Sequence, residues 1–98
     1  MKLVKFENTG CPSCDRAKLF LNAVGGSDVV VSKMPYIEAD DAILAGTLKE
    51  PIMSFPTFVV MVEKDGKLVE VEGKRMNGFE ASRSGELLEL VEFVKENQ

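Results

Sequence analysis

Polar and apolar residues mix over a short stretch, Lys2-Leu3-Val4-Lys5-Phe6, that predicts a strand, and the polar run Glu7 to Gly10 predicts a turn leading straight into Cys11. From Cys14 the apolar positions fall at Cys14, Ala17, Phe20, Leu21 and Val24, one stripe of a helix, with Asp15, Arg16, Lys18 and Asn22 on its other face. Pro12 suits the first helical position, where its missing N–H costs nothing, so Cys11 falls at or next to the N-cap. Gly25 and Gly26 end the helix. Val29 to Val31 begin a second strand, extended through the interruption at Pro35 towards Tyr36 and Ile37. Asp40 or Asp41 is expected to cap a short second helix through Ala42, Ile43, Leu44 and Leu48, which Pro51 brings to an end.

After a loop that closes on Ser54-Phe55-Pro56, the run Thr57 to Val62 is apolar and rich in β-branched residues, the signature of a buried strand. Asp65-Gly66 predicts a hairpin turn, and Leu68 to Glu72 alternates as an edge strand would, with Glu70 and Glu72 on its wet face. A loop rich in glycine and asparagine follows. Ser84 is then expected to cap a last helix with the stripe Leu87, Leu90, Val91 and Val94, while Glu86, Glu89, Glu92 and Glu96 form its solvated face. The predicted order, β-α-β-α-β-β-α, is that of an α/β domain. The β-α-β opening requires a parallel pair and the tight turn an antiparallel one, so the expected sheet is four-stranded and mixed. Nothing divides the chain, and residues 1–98 are expected to form a single domain, acting as a monomer.

Composition narrows the chemistry. Twelve basic against sixteen acidic residues leave a net charge of −4, which argues against nucleic acid as a partner. The chain has no histidine, so a Ser-His-Asp triad, a Cys-His pair and a His-ligated zinc site are all excluded. No apolar run approaches the length of a bilayer span and the first residues lack a signal-peptide profile, which predicts a cytoplasmic protein with no membrane partner. Two cysteines are too few for a secreted disulfide framework, and too few alone for a four-cysteine metal site.

Those two cysteines lie together in Cys11-Pro12-Ser13-Cys14, at the first turn of the predicted helix. The spacing permits a reversible disulfide. Unpaired N–H groups and the positive end of the helix dipole favour a thiolate on Cys11 over Cys14, which lies deeper in the helix. Cys11 is then the nucleophile on a substrate disulfide, and Cys14 resolves the mixed disulfide. The alternatives are two inert cysteines that fall together by chance, and half of a zinc or iron–sulfur site that a second subunit would complete. Met34, Met53, Met61 and Met76 are expected as core or rim fillers, and Phe79 either as an apolar rim for substrates or as cover for the end of the sheet.

The chain resembles the thioredoxin and glutaredoxin superfamily. The resemblance rests on Leu3-Val4-Lys5-Phe6 followed by Cys11-Pro12-Ser13-Cys14, on Ser54-Phe55-Pro56-Thr57 opening the third strand, and on the element order. It implies a thioredoxin-like fold with helices on both faces of the sheet, and a cis Pro56 facing the cysteines. It further implies that the Phe55 backbone pairs with an extended substrate segment, beside Pro12 and Ser13. Asn77-Gly78-Phe79-Glu80 resembles the segment that holds glutathione in glutaredoxins, with Gly78 matching its second glycine and Asn77 replacing the first. Ser13 replaces the tyrosine common in glutaredoxins, and Asn8 stands where many carry a lysine. Lys5 stands where thioredoxins keep a buried acid, which makes it a candidate to favour the Cys14 thiolate or to act as its base. The alternative is a lysine whose stem lies along the sheet while its head reaches water.

The resemblance implies a dithiol–disulfide oxidoreductase that reduces protein disulfides without a prosthetic group, with a ribonucleotide reductase or similar disulfide-cycling enzyme as client. Electrons would come from a thioredoxin reductase or from glutathione. The alternatives are a glutathione-dependent glutaredoxin and a metal-binding module shared between subunits.

Overall fold

The computed structural model of the chain describes residues 1–33 and 46–98. Four strands, β1 (Lys2–Phe6), β2 (Val30–Lys33), β3 (Thr57–Lys64) and β4 (Lys67–Asn77), form one mixed sheet in the order β2-β1-β3-β4. β1 runs parallel to β2 and antiparallel to β3, and β3 runs antiparallel to β4. Two helices accompany it, α1 (Pro12–Ala23) and α2 (Ser84–Glu96). None of the described helices is long and apolar enough to cross a membrane.

Both described helices cover the same face of the sheet. The alternation in β1 sends Leu3 to that face, where it is buried with Phe58, Val60 and Met76 under Ala17 and Leu21 of α1 and Leu87, Leu90, Val91 and Val94 of α2. The helical stripes predicted for both helices are thus the surfaces they bury. Phe79 belongs to this core, tilted against Phe20 at 5.9 Å between ring centroids, and covers the end of the sheet while also lining a groove there. The opposite face carries Val4, Phe6, Val59 and Met61, buried together with Leu48. Of the other methionines, Met76 is in the core while Met53 is exposed; Met34 lies outside the described residues.

The second helix, expected over Ala42 to Leu48, and the extension of the second strand to Tyr36 and Ile37 also fall outside the described residues, except that Gly46 to Leu48 are turn and coil. β2 itself begins one residue later than expected, because Ser27–Val29 form a single 3₁₀ turn. The last helix begins differently from its prediction. A 3₁₀ turn over Ala81–Arg83 feeds directly into α2, so Ser84 is already helical and its hydroxyl donates to the Ala81 carbonyl (2.9 Å) instead of capping. The solvated face of α2 is as expected, with Glu86, Glu89, Glu92 and Glu96 all exposed.

The largest departure is β4. The pattern predicts a strand ending at Glu72, whereas pairing with β3 resumes beyond it and continues to Asn77. Met61 faces Glu70 and Val59 faces Arg75, so Val71 to Lys74 bulge out opposite Val60, with Gly73 at φ +76 supplying a left-handed conformation that side chains resist. The bulge brings Glu70 and Arg75 together. Glu70 is consequently not on a wet face but buried, its carboxylate accepting from Arg75 Nε (3.0 Å) and Nη2 (2.6 Å) and from the Lys49 N–H (3.0 Å). The same guanidinium donates to the carbonyls of Glu50 (3.1 Å) and Pro51 (3.2 Å), pinning the segment that leads to the Ser54–Pro56 loop. The β3–β4 hairpin turns through Asp65 and Gly66, both at positive φ (53 and 80), as the Asp-Gly pair predicts.

Arg75→Met would leave a buried carboxylate without its counter-charge. It is expected to lower stability by about 3 kcal/mol, read from the urea midpoint at an unchanged denaturant slope.

Candidate active site

The two sulfurs are set apart by the start of α1. Cys11 is the N-cap residue, with extended backbone (φ −106, ψ 100), and Pro12 occupies the first helical position. The Cys11 carbonyl accepts the Asp15 N–H (3.2 Å), and its Sγ accepts the Cys14 N–H (3.1 Å), the bond a capping oxygen usually makes. Cys11 and Cys14 form a disulfide, with Cα atoms 5.2 Å apart. Cys11 is half-buried, whereas Cys14 is 4% exposed and packs inward. One sulfur meets solvent at a helix N-terminus, and the other is held underneath it.

Lys5 lies against the backbone of the second cysteine. The strand alternation that buries Leu3 turns Lys5 to the same side, where it is 3% exposed. Its ammonium does not reach bulk water as a snorkelling lysine would. It donates to the Cys14 carbonyl (3.0 Å) and pairs with the Glu7 carboxylate (3.1 Å), so that the buried charge is both hydrogen-bonded and neutralised.

Three other predicted residues meet at a groove of about 470 Å³ beside the disulfide. Ser13 comes from α1, Phe55 from the loop before β3, and Gly78 from the segment after β4. The Phe55–Pro56 peptide is cis, as the resemblance implied, and Pro56 is fully buried. Its carbonyl accepts the Gly78 N–H (2.7 Å), which ties the two segments together, and Thr57 Oγ1 donates to the Ser54 carbonyl (2.7 Å) to close the loop. Gly78 has φ +77, a conformation that glycine adopts without strain. Pro12 is exposed and, with Pro56, is not among the groove's lining residues; both hold backbone instead.

Arg16 and Arg83 also line the groove, and neither was singled out from the sequence. Arg16 is exposed and donates to Ser13 Oγ (3.1 Å), one helical turn back. Its place three residues after Ser13 was a signal the helix pattern contained. Arg83 donates to the Asn77 carbonyl (2.7 Å) and to Glu86 (2.8 Å), and its hydrogen bonds to the Glu86 carboxylate hold the guanidinium above its ordinary range. Glu7 is the other omission. It stands two residues after Lys5 on the same side of an extended chain, a spacing that suits an ion pair.

No protein-family model, curated protein or solved structure matches the chain.

The arrangement carries an electrostatic asymmetry. The N–H bond and helix N-terminus favour negative charge on Cys11 Sγ, which is also the more accessible sulfur. After reduction, Cys11 is therefore expected to be alkylated by iodoacetamide at least about tenfold faster than Cys14 at neutral pH, as read by mass mapping of pulse-labelled peptides.

Proposed function

We propose that the protein is a thiol–disulfide oxidoreductase that reduces protein disulfides, with Cys11 as nucleophile and Cys14 as resolving thiol. The observation that carries this reading is the pair itself: one accessible sulfur accepting an N–H at a helix N-cap, bonded to a second, buried sulfur one turn on. The accessible thiolate attacks a substrate disulfide, and the substrate's first sulfur leaves as a thiolate. Cys14 then attacks Cys11 Sγ, the mixed disulfide breaks, and the second substrate thiolate departs, leaving Cys11–Cys14 oxidised by two electrons.

The groove beside the pair supports an extended peptide as substrate. Ser13, Phe55 and Gly78 line it, and a segment lying there would meet the backbone ahead of Pro56 as an added strand. The fold reading that accompanies this is thioredoxin-like, with cover on the second face of the sheet as well as the first; the burial of Val4, Phe6, Val59 and Met61 supports it. In this reading the protein works as a monomer in the cytoplasm, without a prosthetic group, on a disulfide-cycling enzyme such as a ribonucleotide reductase. A thioredoxin reductase supplies the electrons, since Asn8 and Asn77 replace two residues that glutaredoxins use for glutathione.

Equilibration in glutathione buffers, followed by acid quench, alkylation and mass analysis, tests the reading. The expected result is one two-electron transition between dithiol and internal disulfide, between about −200 and −270 mV; persistent glutathione adducts would favour the glutathione-dependent alternative, and no internal disulfide in any buffer would end the proposal. Cys11→Ser is expected to abolish exchange with a protein disulfide. Cys14→Ser is expected to accumulate a mixed disulfide with the substrate, visible on a non-reducing gel.

A further inference from the structure

A buried thiol in apolar surroundings resists ionisation, because the thiolate loses its hydration. Cys14 is such a thiol, yet the exchange cycle requires it to attack as a thiolate. A charge in direct contact with its backbone is the Lys5 ammonium, 3.0 Å from the Cys14 carbonyl oxygen and itself buried, where Coulomb interactions are screened less than at the surface. The Glu7 carboxylate, 3.1 Å from the same Nζ and part-exposed, opposes that field. A cleft of about 350 Å³ on this side of α1 is lined by Lys5, Glu7, Lys18 and Ser32, giving water a route to the Lys5–Glu7 ion pair. Lys18 is the other charged residue of this cleft. Ser32 of β2 and Phe58 of β3, the register partners of Lys5, carry no charge.

Resting on the exchange reading above, we infer that Lys5 and Glu7 form a charge couple that sets the reactivity of the resolving thiol, Lys5 promoting the Cys14 thiolate and Glu7 restraining it. Lys5 is a positioning residue in this role: it touches the Cys14 backbone and not the substrate. In the resolving step Cys14 loses its proton to solvent, its thiolate forms a bond to Cys11 Sγ, and the bond from Cys11 to the substrate sulfur breaks. The electron pair leaves with the substrate thiolate, which takes up a proton from water.

The couple predicts opposite signs for its two members, which a purely structural role does not. The probe is dithiobis(nitrobenzoate), mixed with the reduced 98-residue chain in a stopped-flow instrument across pH. The first released aryl thiolate reports attack by Cys11, and the second reports resolution by Cys14. Lys5→Met is expected to move the pH midpoint of the second phase up by about one unit. Because a more basic thiolate is also more nucleophilic, the rate at neutral pH then falls only about threefold. Glu7→Gln is expected to move the midpoint down, and Lys5→Arg, which keeps the charge, to retain the parent profile.

Midpoints that stay in place in both Lys5→Met and Glu7→Gln, or that move in the same direction, overturn the inference. If Lys5→Met does not fold, Glu7→Gln at its part-exposed site decides the sign alone: a downward move supports the couple, and an unmoved or raised midpoint overturns it. A parent protein with a first phase and no second overturns the exchange reading, and the inference with it.

Discussion

β1 is hydrogen-bonded on both sides, and the register across it determines where the site can be. Phe6 lies opposite Thr57, and Thr57 opposite Asn77, so three chain segments leave the sheet at one level. They are the turn into Cys11, the Ser54–Pro56 loop, and the stretch beginning at Gly78. The Glu7 N–H, donating to the Lys33 carbonyl (3.0 Å), carries the pairing one residue past the strand. A slip of one residue in β1 would exchange its faces, taking Leu3 out of the helix-covered core and Lys5 out from beneath α1. The hydrophobic pattern that holds the fold in register thus also places a cation against the Cys14 backbone.

The two sulfurs draw on different parts of this frame. Cys11 relies on local structure: a proline at the first helical position and the Cys14 N–H, which its sulfur accepts one turn on, both properties of a four-residue segment. Cys14 relies on tertiary structure, since its surroundings come from the strand beneath and the packing of Ala17 and Leu21 above the sheet. Reactivity at the first depends on a helix beginning, and at the second on a sheet and a helix packing in register. This division explains why the setting of the first cysteine is more legible in the sequence than that of the second.

The same distinction governs what could be read before the structure. The stripes of α1 and α2, the apolar run of β3 and the Asp65-Gly66 turn are local signals, and each marks its element. Ser13, Phe55 and Gly78 were named together through resemblance, and the fold brings them to one groove. Glu70 was misread because a charged residue alternating with valines looks solvent-facing, and its partner, Arg75, is five residues away across a bulge that no local pattern marks. Ser84 was misread because a serine before an apolar stripe looks like a cap, and the preceding 3₁₀ turn depends on where β4 ends. Glu7 was passed over as part of a polar turn, although its pairing with Lys5 is what allows a lysine to be buried there.

The bulge in β4 also bears on how the molecule meets copies of itself. An outer strand offers unpaired N–H and C=O groups to any extended chain, and a long flat one is a template for fibrous growth. Here the row is cut between Glu70 and Arg75, and at the cut the Glu70 N–H is already donated to the Thr47 carbonyl (2.8 Å). What remains on either side are two short rungs out of line with each other. A chain added along this border of the sheet would therefore find its pairing broken at the bulge.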